Sequence, residues 1–169
     1  ANKLVPPQSN IPECPFPNHS MVYIPEGNVT LGRQAKDGFG WDNEFDEHQQ
    51  KVSGFAVSKY KVTNAQYLRF VNDGGPVPPY WVQRDHHWFL YTMFDEIPLP
   101  HDWPVYVSLK EAQAFAVWAG FSLPTEAQFH RAAYGTRSGH ERAYPWGNKA
   151  SNGLYGNFNF KYWDPVPVT

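Results

Sequence analysis

Three times in this chain a serine or threonine is followed, three residues on, by glutamate or glutamine at the head of an apolar stripe: Thr63/Gln66, Ser108/Glu111 and Thr125/Gln128. Each pair can satisfy orphan N–H groups at both ends of a first helical turn, the cap accepting from the third residue and the third residue from the cap. Three helices are therefore predicted. The first carries Tyr67, Phe70 and Val71 on one face and stops at Gly74-Gly75; the second carries Ala112, Phe115, Ala116 and Ala119 and stops at Gly120. For the third, Phe129, Ala132 and Ala133 are the expected buried stripe and Gly135 the expected left-handed terminator.

Strands are predicted in "MVYIPEGNVTLG", two short apolar runs about a turn at Glu26-Gly27-Asn28, and in "KVSGFAVSKYKVT", where Val52, Phe55, Val57 and Tyr60 alternate imperfectly. The polar segment 33–50 lies between them. Residues 1–20, with five prolines, read as an extended arm, and 21–169 as one domain. The stretch "PVPPYWVQRDHHWFLYTMFDEIPLPHDWPVYV" reads as ordered irregular chain. Seven Trp, ten Tyr and twelve Phe beside sixteen Pro and thirteen Gly imply a core of packed rings between long loops.

Charge excludes some functions. Sixteen acidic against fourteen basic residues, with no long run of either sign, leave no electrostatic footprint for nucleic acid or an anionic membrane. No apolar stretch approaches the length of a membrane span, and the N-terminus lacks the pattern of a signal peptide. The single cysteine, Cys14, rules out an intrachain disulfide and fits a reducing, cytoplasmic setting.

With the helices placed, "PVYVSLKEAQAFAVWAGFSLPTEAQFHRAAYGT" followed by "YPWGN" resembles the formylglycine-generating-enzyme (sulfatase-modifying-factor) superfamily. "MVYIPEGNVTLG" and "KYKVTNAQYLRFVNDGG" precede it in the matching order. The resemblance implies an α+β, C-type-lectin-like fold with sparse secondary structure. "FGWDNEF", "MFDEIPLPHDWPVYVS" and "NFNFKYWDPVPV" look most like the ergothioneine-biosynthesis sulfoxide synthases and their selenoneine-forming relatives. The implied reaction is oxygen-dependent C–S (or C–Se) bond formation on trimethylhistidine at a non-haem Fe(II), with cysteine or gamma-glutamylcysteine as thiol.

The chain departs from that family in two ways. No H-x-x-x-H-x-E pattern occurs among the seven histidines, so Fe(II) is expected outside this chain, on a helical domain of the same enzyme. The sequence also stops at Thr169, before the Gly-Asn-x-x-Glu-Trp and Arg-Gly-Gly-Ser segments of the family, so it reads as truncated and alone inactive. Truncation is expected to leave apolar faces of 21–31 and 52–60 partly uncovered, for a second chain or an oligomer to cover. The paired-cysteine copper site of formylglycine-generating activity cannot be built from Cys14 alone. A non-catalytic lectin-like ligand-binding module is the alternative.

Among individual residues, Trp41, Asp42 and Asn43 are substrate-binding candidates, a stacking ring beside two short polar groups; a rigid Asx-turn explains them equally well. Asn157 falls where the superfamily places a structural calcium ligand, although few carboxylates accompany it and a hydrogen-bonded turn also fits. Asp85, His86 and His87 read as loop packing, and His48 as a surface residue. Glu126 and His130, four apart on a helix, lack a third ligand and read as structural.

Overall fold

A computed structural model of the chain describes residues 20–159 and 162–168; the proline-rich leader and Cys14 lie outside them. In chain order the elements are β1 (Met21–Ile24), β2 (Gly27–Leu31), β3 (His48–Val52), β4 (Phe55–Ser58), α1 (Asn64–Asn72), β5 (Trp81–Arg84), β6 (His87–Tyr91), β7 (Glu96–Pro98), α2 (Leu109–Trp118) and α3 (Glu126–Tyr134). Short 3-10 turns occupy Ala35–Asp37 and Asp42–Glu44. The chain is α+β, and no helix among the described residues is long and apolar enough to cross a membrane. It forms two compact units, the first built on 59–123 and 156–168, the second on 21–58 and 124–155.

All three capping boxes form. Gln66 and Gln128 accept from the Thr63 and Thr125 N–H groups at 2.9 Å, and the threonine hydroxyls accept in return at 3.3 and 3.2 Å. Glu111 takes both the N–H and the hydroxyl of Ser108 at 2.7 Å. Thr125→Ala is expected to cost about 1 kcal/mol in chemical denaturation through loss of such a cap. α1 and α2 end as the sequence predicts: the Gly75 N–H returns to the Phe70 carbonyl and the Phe121 N–H to that of Ala116, each at 2.8 Å, across left-handed Gly74 and Gly120.

In the first unit, Tyr67 and Phe70 of α1 meet Phe115 of α2, Trp81, Leu90, Leu99 and Trp103 in one core. Tyr67 stacks on Phe115 at 5.4 Å and meets Phe70 and Trp81 edge-on. The start of α1 is seated on the loop after β7: Asn64 and Ala65 give their N–H groups to the carbonyls of Trp103 and His101, and the Asn64 amide nitrogen donates to Pro100 at 2.7 Å. Helical donors that would be orphaned thus meet fixed partners.

The stretch expected to be irregular contains the antiparallel sheet β5-β6-β7. Its hairpin escapes the usual signal because Asp85 (φ 46°) and His86 (φ 67°) hold the two left-handed turn positions that Asn-Gly normally takes. His86 therefore sits at the tip and His87 opens β6, which keeps the adjacent imidazoles from converging. Changing Asp85-His86 to Asn-Gly is expected to raise stability by about 1 kcal/mol in thermal unfolding, by relieving those positions.

In the second unit β1 pairs with β4 and β2 with β3, both antiparallel, and α3 packs on β2 and β3 over Val29, Leu31, Val52 and Ala127. The two runs about Pro25-Glu26 are consequently not each other's partners. Met21, Val22 and Tyr23 of β1 are exposed. The third helix buries a face other than the expected one. Ala127 and Arg131 point inward, Ala132 and Ala133 are half-buried, and Phe129 is 56% exposed. Gly135 has φ −65° and is not left-handed; a Cβ there would stand 2.6 Å from the Arg131 carbonyl oxygen. Close approach of the backbone, rather than handedness, explains a glycine at that position.

Candidate functional site

The Trp41–Asn43 candidates lie in the second unit, on a turn built by local hydrogen bonds. The Glu44 carboxylate accepts the Trp41 N–H at 2.7 Å, the Trp41 carbonyl accepts the Glu44 N–H at 2.9 Å, and the Glu44 carbonyl accepts the Arg33 N–H at 2.9 Å. Asp42 Oδ1 accepts the Asn43 N–H at 3.0 Å, a local carboxylate-to-backbone contact of the kind expected for a rigid loop. A Cβ at Gly40 would lie within about 3.0 Å of Phe45, Arg33 and Glu44, so the backbone is closely held where the ring is presented. On this frame Trp41 is 68% and Phe39 76% exposed, their rings edge-to-face at 5.2 Å. Asp42 and Asn43 are exposed beside them. The arrangement offers a stacking surface with hydrogen-bonding groups at its edge.

Two further features of the second unit were not singled out from sequence. Tyr144 and Tyr155 each stack parallel on Trp146, with centroids 5.2 and 5.0 Å from the indole, whose Nε1 donates to the Lys149 carbonyl at 2.9 Å. Tyr-Pro-Trp-Gly was legible as a motif, but Tyr155 enters the stack only through the fold. Arg131 is 6% exposed and donates to the carbonyls of Pro25 and Glu26 at 3.3 Å and of Thr136 at 3.5 Å. A Cβ at Gly27 would stand 2.6 Å from its guanidinium carbon. Arg131 fixes the β1–β2 turn against the end of α3.

His130 of α3 is half-buried edge-on to Tyr134, at 5.2 Å between centroids, and Glu126 is exposed. His48 is exposed, with Nδ1 3.2 Å from the Asp46 carbonyl oxygen. Among the described residues no three His, Cys, Asp or Glu side chains converge as a metal-binding group.

In the first unit, Asn157 acts as a brace. Its amide nitrogen donates to the carbonyls of Tyr162 (3.3 Å) and Asp164 (3.0 Å), while Oδ1 accepts the Tyr162 N–H (3.3 Å). The braced segment sets Trp163 edge-on to Phe94 at 5.9 Å. Burial, and then the neighbouring charge of Asp95, raises the Asp164 carboxyl above its ordinary range. Across the outer face of the sheet, Arg84 forks onto Glu96 (Nε–Oε1 2.6 Å, Nη2–Oε2 2.8 Å) and reaches the Tyr91 hydroxyl at 3.1 Å. The hydrogen bonds from Arg84 hold the Glu96 carboxyl below its ordinary range.

The family model of the sulfatase-modifying factor enzyme 1-like domain matches residues 7–165. The hercynine oxygenase of Mycolicibacterium smegmatis is 31% identical over 167 residues, covering 87% of this chain and 39% of that protein. The formylglycine-generating enzyme of Thermomonospora curvata is 31% identical over 165 residues, 76% of this chain and 52% of that protein. Ergothioneine biosynthesis protein 1 of Schizosaccharomyces pombe is 31% identical over 98 residues, 54% of this chain and 13% of that protein. The chain thus spans from about an eighth to about half the length of these curated relatives, and it is a relative of ergothioneine-pathway proteins. A family model that covers nearly the whole chain, on an α+β frame with all three capped helices in place, makes this chain a member of the sulfatase-modifying factor enzyme 1-like family.

Proposed function

We propose that this chain is part of a C-type-lectin-like domain, 21–169 following an arm at 1–20, in a cytoplasmic enzyme of ergothioneine biosynthesis that forms a C–S bond between trimethylhistidine and cysteine or gamma-glutamylcysteine, using O2 and non-haem Fe(II). The observation that carries this reading is the 31% identity to a protein named hercynine oxygenase across 87% of the chain. The described residues supply no iron donor set, so Fe(II) belongs to another part of the intact protein, a helical domain in this reading. This chain contributes the wall of the substrate pocket: Trp41 stacks on substrate, while Asp42 and Asn43 hydrogen-bond to it. Calcium at Asn157 would be held by the second lone pair of Oδ1, beside the Tyr162 N–H that the oxygen already accepts.

The test uses the full-length protein, loaded with Fe(II) and given O2, trimethylhistidine and each thiol in turn, with the sulfoxide product followed by mass spectrometry. Product with either thiol, and a raised KM in Trp41→Ala, are expected. Absence of product from folded, iron-loaded protein would remove the C–S reading and leave the selenium-transferring relative or the non-catalytic module. The module is favoured by one observation, the solvent exposure of the Phe39–Trp41 pair.

A further inference from the structure

A small substrate does not account for everything the loop around Trp41 presents. Two large rings stand side by side, both mostly in solvent, on a backbone held by hydrogen bonds from Glu44 and Arg33. The same loop carries the exposed carboxylates of Asp42, Glu44, Asp46 and Glu47, in a protein whose charges otherwise nearly balance. Glu44 Oε2 takes the Trp41 N–H and Glu47 Oε1 the Gln34 amide at 2.6 Å, which leaves further lone pairs on both groups to accept from a partner. Arg33 and Lys36 are the loop's own cations, and five carboxylates, Asp37 included, outnumber them.

We infer that the 33–47 loop is a docking surface for an arginine-bearing cationic segment of another polypeptide. A contiguous exposed aromatic pair marks an interaction site more often than a solitary surface ring does. The negative field around it selects a cationic partner and repels an acidic one. Between the two cationic side chains, arginine fits better: its flat guanidinium lies on the indole face while its fork pairs with a carboxylate at the ring edge, whereas a lysine ammonium is a compact, strongly hydrated charge. Asp42, next to the indole in sequence and exposed, is the nearest such carboxylate along the chain.

The probe is a short fluorescein-labelled peptide of repeated Arg-Gly, titrated with the full-length protein by fluorescence anisotropy at low and physiological salt. Matched Lys-Gly, Glu-Gly and Ser-Gly peptides serve as comparisons. The Arg-Gly peptide is expected to bind, the Lys-Gly peptide several-fold more weakly, and the other two not measurably. Trp41→Ala is expected to weaken binding about tenfold, and Asp42→Asn with Asp46→Asn to flatten the dependence on salt. Melting of each variant at the wild-type temperature establishes that it is folded, and Phe39→Ala provides an independent aromatic variant.

Equal binding of the Arg-Gly and Ser-Gly peptides would overturn the proposal, as would undiminished binding by both aromatic variants. Concentration-dependent self-association abolished by Trp41→Ala would replace the proposed occupant with a second copy of this chain. Binding is read without turnover, so failure here leaves the enzyme reading standing, and absence of a sulfoxide product leaves this one standing.

Discussion

Replacing Arg131 with alanine is expected to destabilise the protein by about 3 kcal/mol, among the larger effects a single substitution produces. Three carbonyl oxygens, of Pro25, Glu26 and Thr136, take their hydrogen bonds from this one buried guanidinium. Truncation leaves them without their donor and opens a space between the β1–β2 turn and α3. Arg131→Lys should recover little, because a single ammonium cannot span acceptors on both sides. The measurement is urea denaturation with a double-mutant cycle. Gly27→Ala should cost about 1–2 kcal/mol in the wild type, where its Cβ meets the guanidinium, and clearly less once that guanidinium is absent. Strictly additive costs would show that Arg131 and Gly27 are not packed as described.

Tyr67 is expected to show the second large effect, with opposite outcomes for two substitutions. Tyr67→Ala should cost about 4 kcal/mol, since the ring is fully buried among Phe70, Trp81 and Phe115. Tyr67→Phe should be neutral or stabilise by up to about 1 kcal/mol, because the hydroxyl is buried without a hydrogen-bond partner among the described residues. Burial, and secondarily the charge of Glu111, push the phenol up to about 12. Its unfolded counterpart ionises near pH 10. Stability from the neutral phenol is therefore complete below pH 10 and falls as pH rises towards 12, since the unfolded state loses its proton first. Stability curves of wild type and Tyr67→Phe should diverge in that window; parallel curves would mean that the phenol ionises alike in the folded and unfolded states and is not desolvated as described.

Wherever the relevant interaction was local, the fold and parts of the site were legible in the amino-acid order. The three capping boxes, the apolar faces of α1 and α2 and the Gly74 and Gly120 terminators each depend on groups within seven residues of one another, and all form as read. The rigidity of the Trp41 turn was likewise open to reading, because Glu44 reaches back only three residues. The family, too, followed from contiguous motifs.

Only the tertiary structure decided what depends on distant partners. α3 buries a charged residue and exposes a phenylalanine because the carbonyls that satisfy Arg131 come from Pro25 and Glu26, about a hundred positions away, and periodicity carries no information about them. β1 and β2 flank a short turn yet pair with β4 and β3, and the Pro25 and Glu26 carbonyls between them are taken by that arginine. The β5–β6 hairpin was hidden by two non-glycine residues at left-handed positions, whose cost is met by the packing of Trp81 and Leu90 in the core. Asn157 became a brace only when the chain returned through Tyr162 and Asp164 to meet its amide. Local order is written in neighbouring residues, whereas the burial of a polar side chain depends on which acceptors the finished fold brings to it.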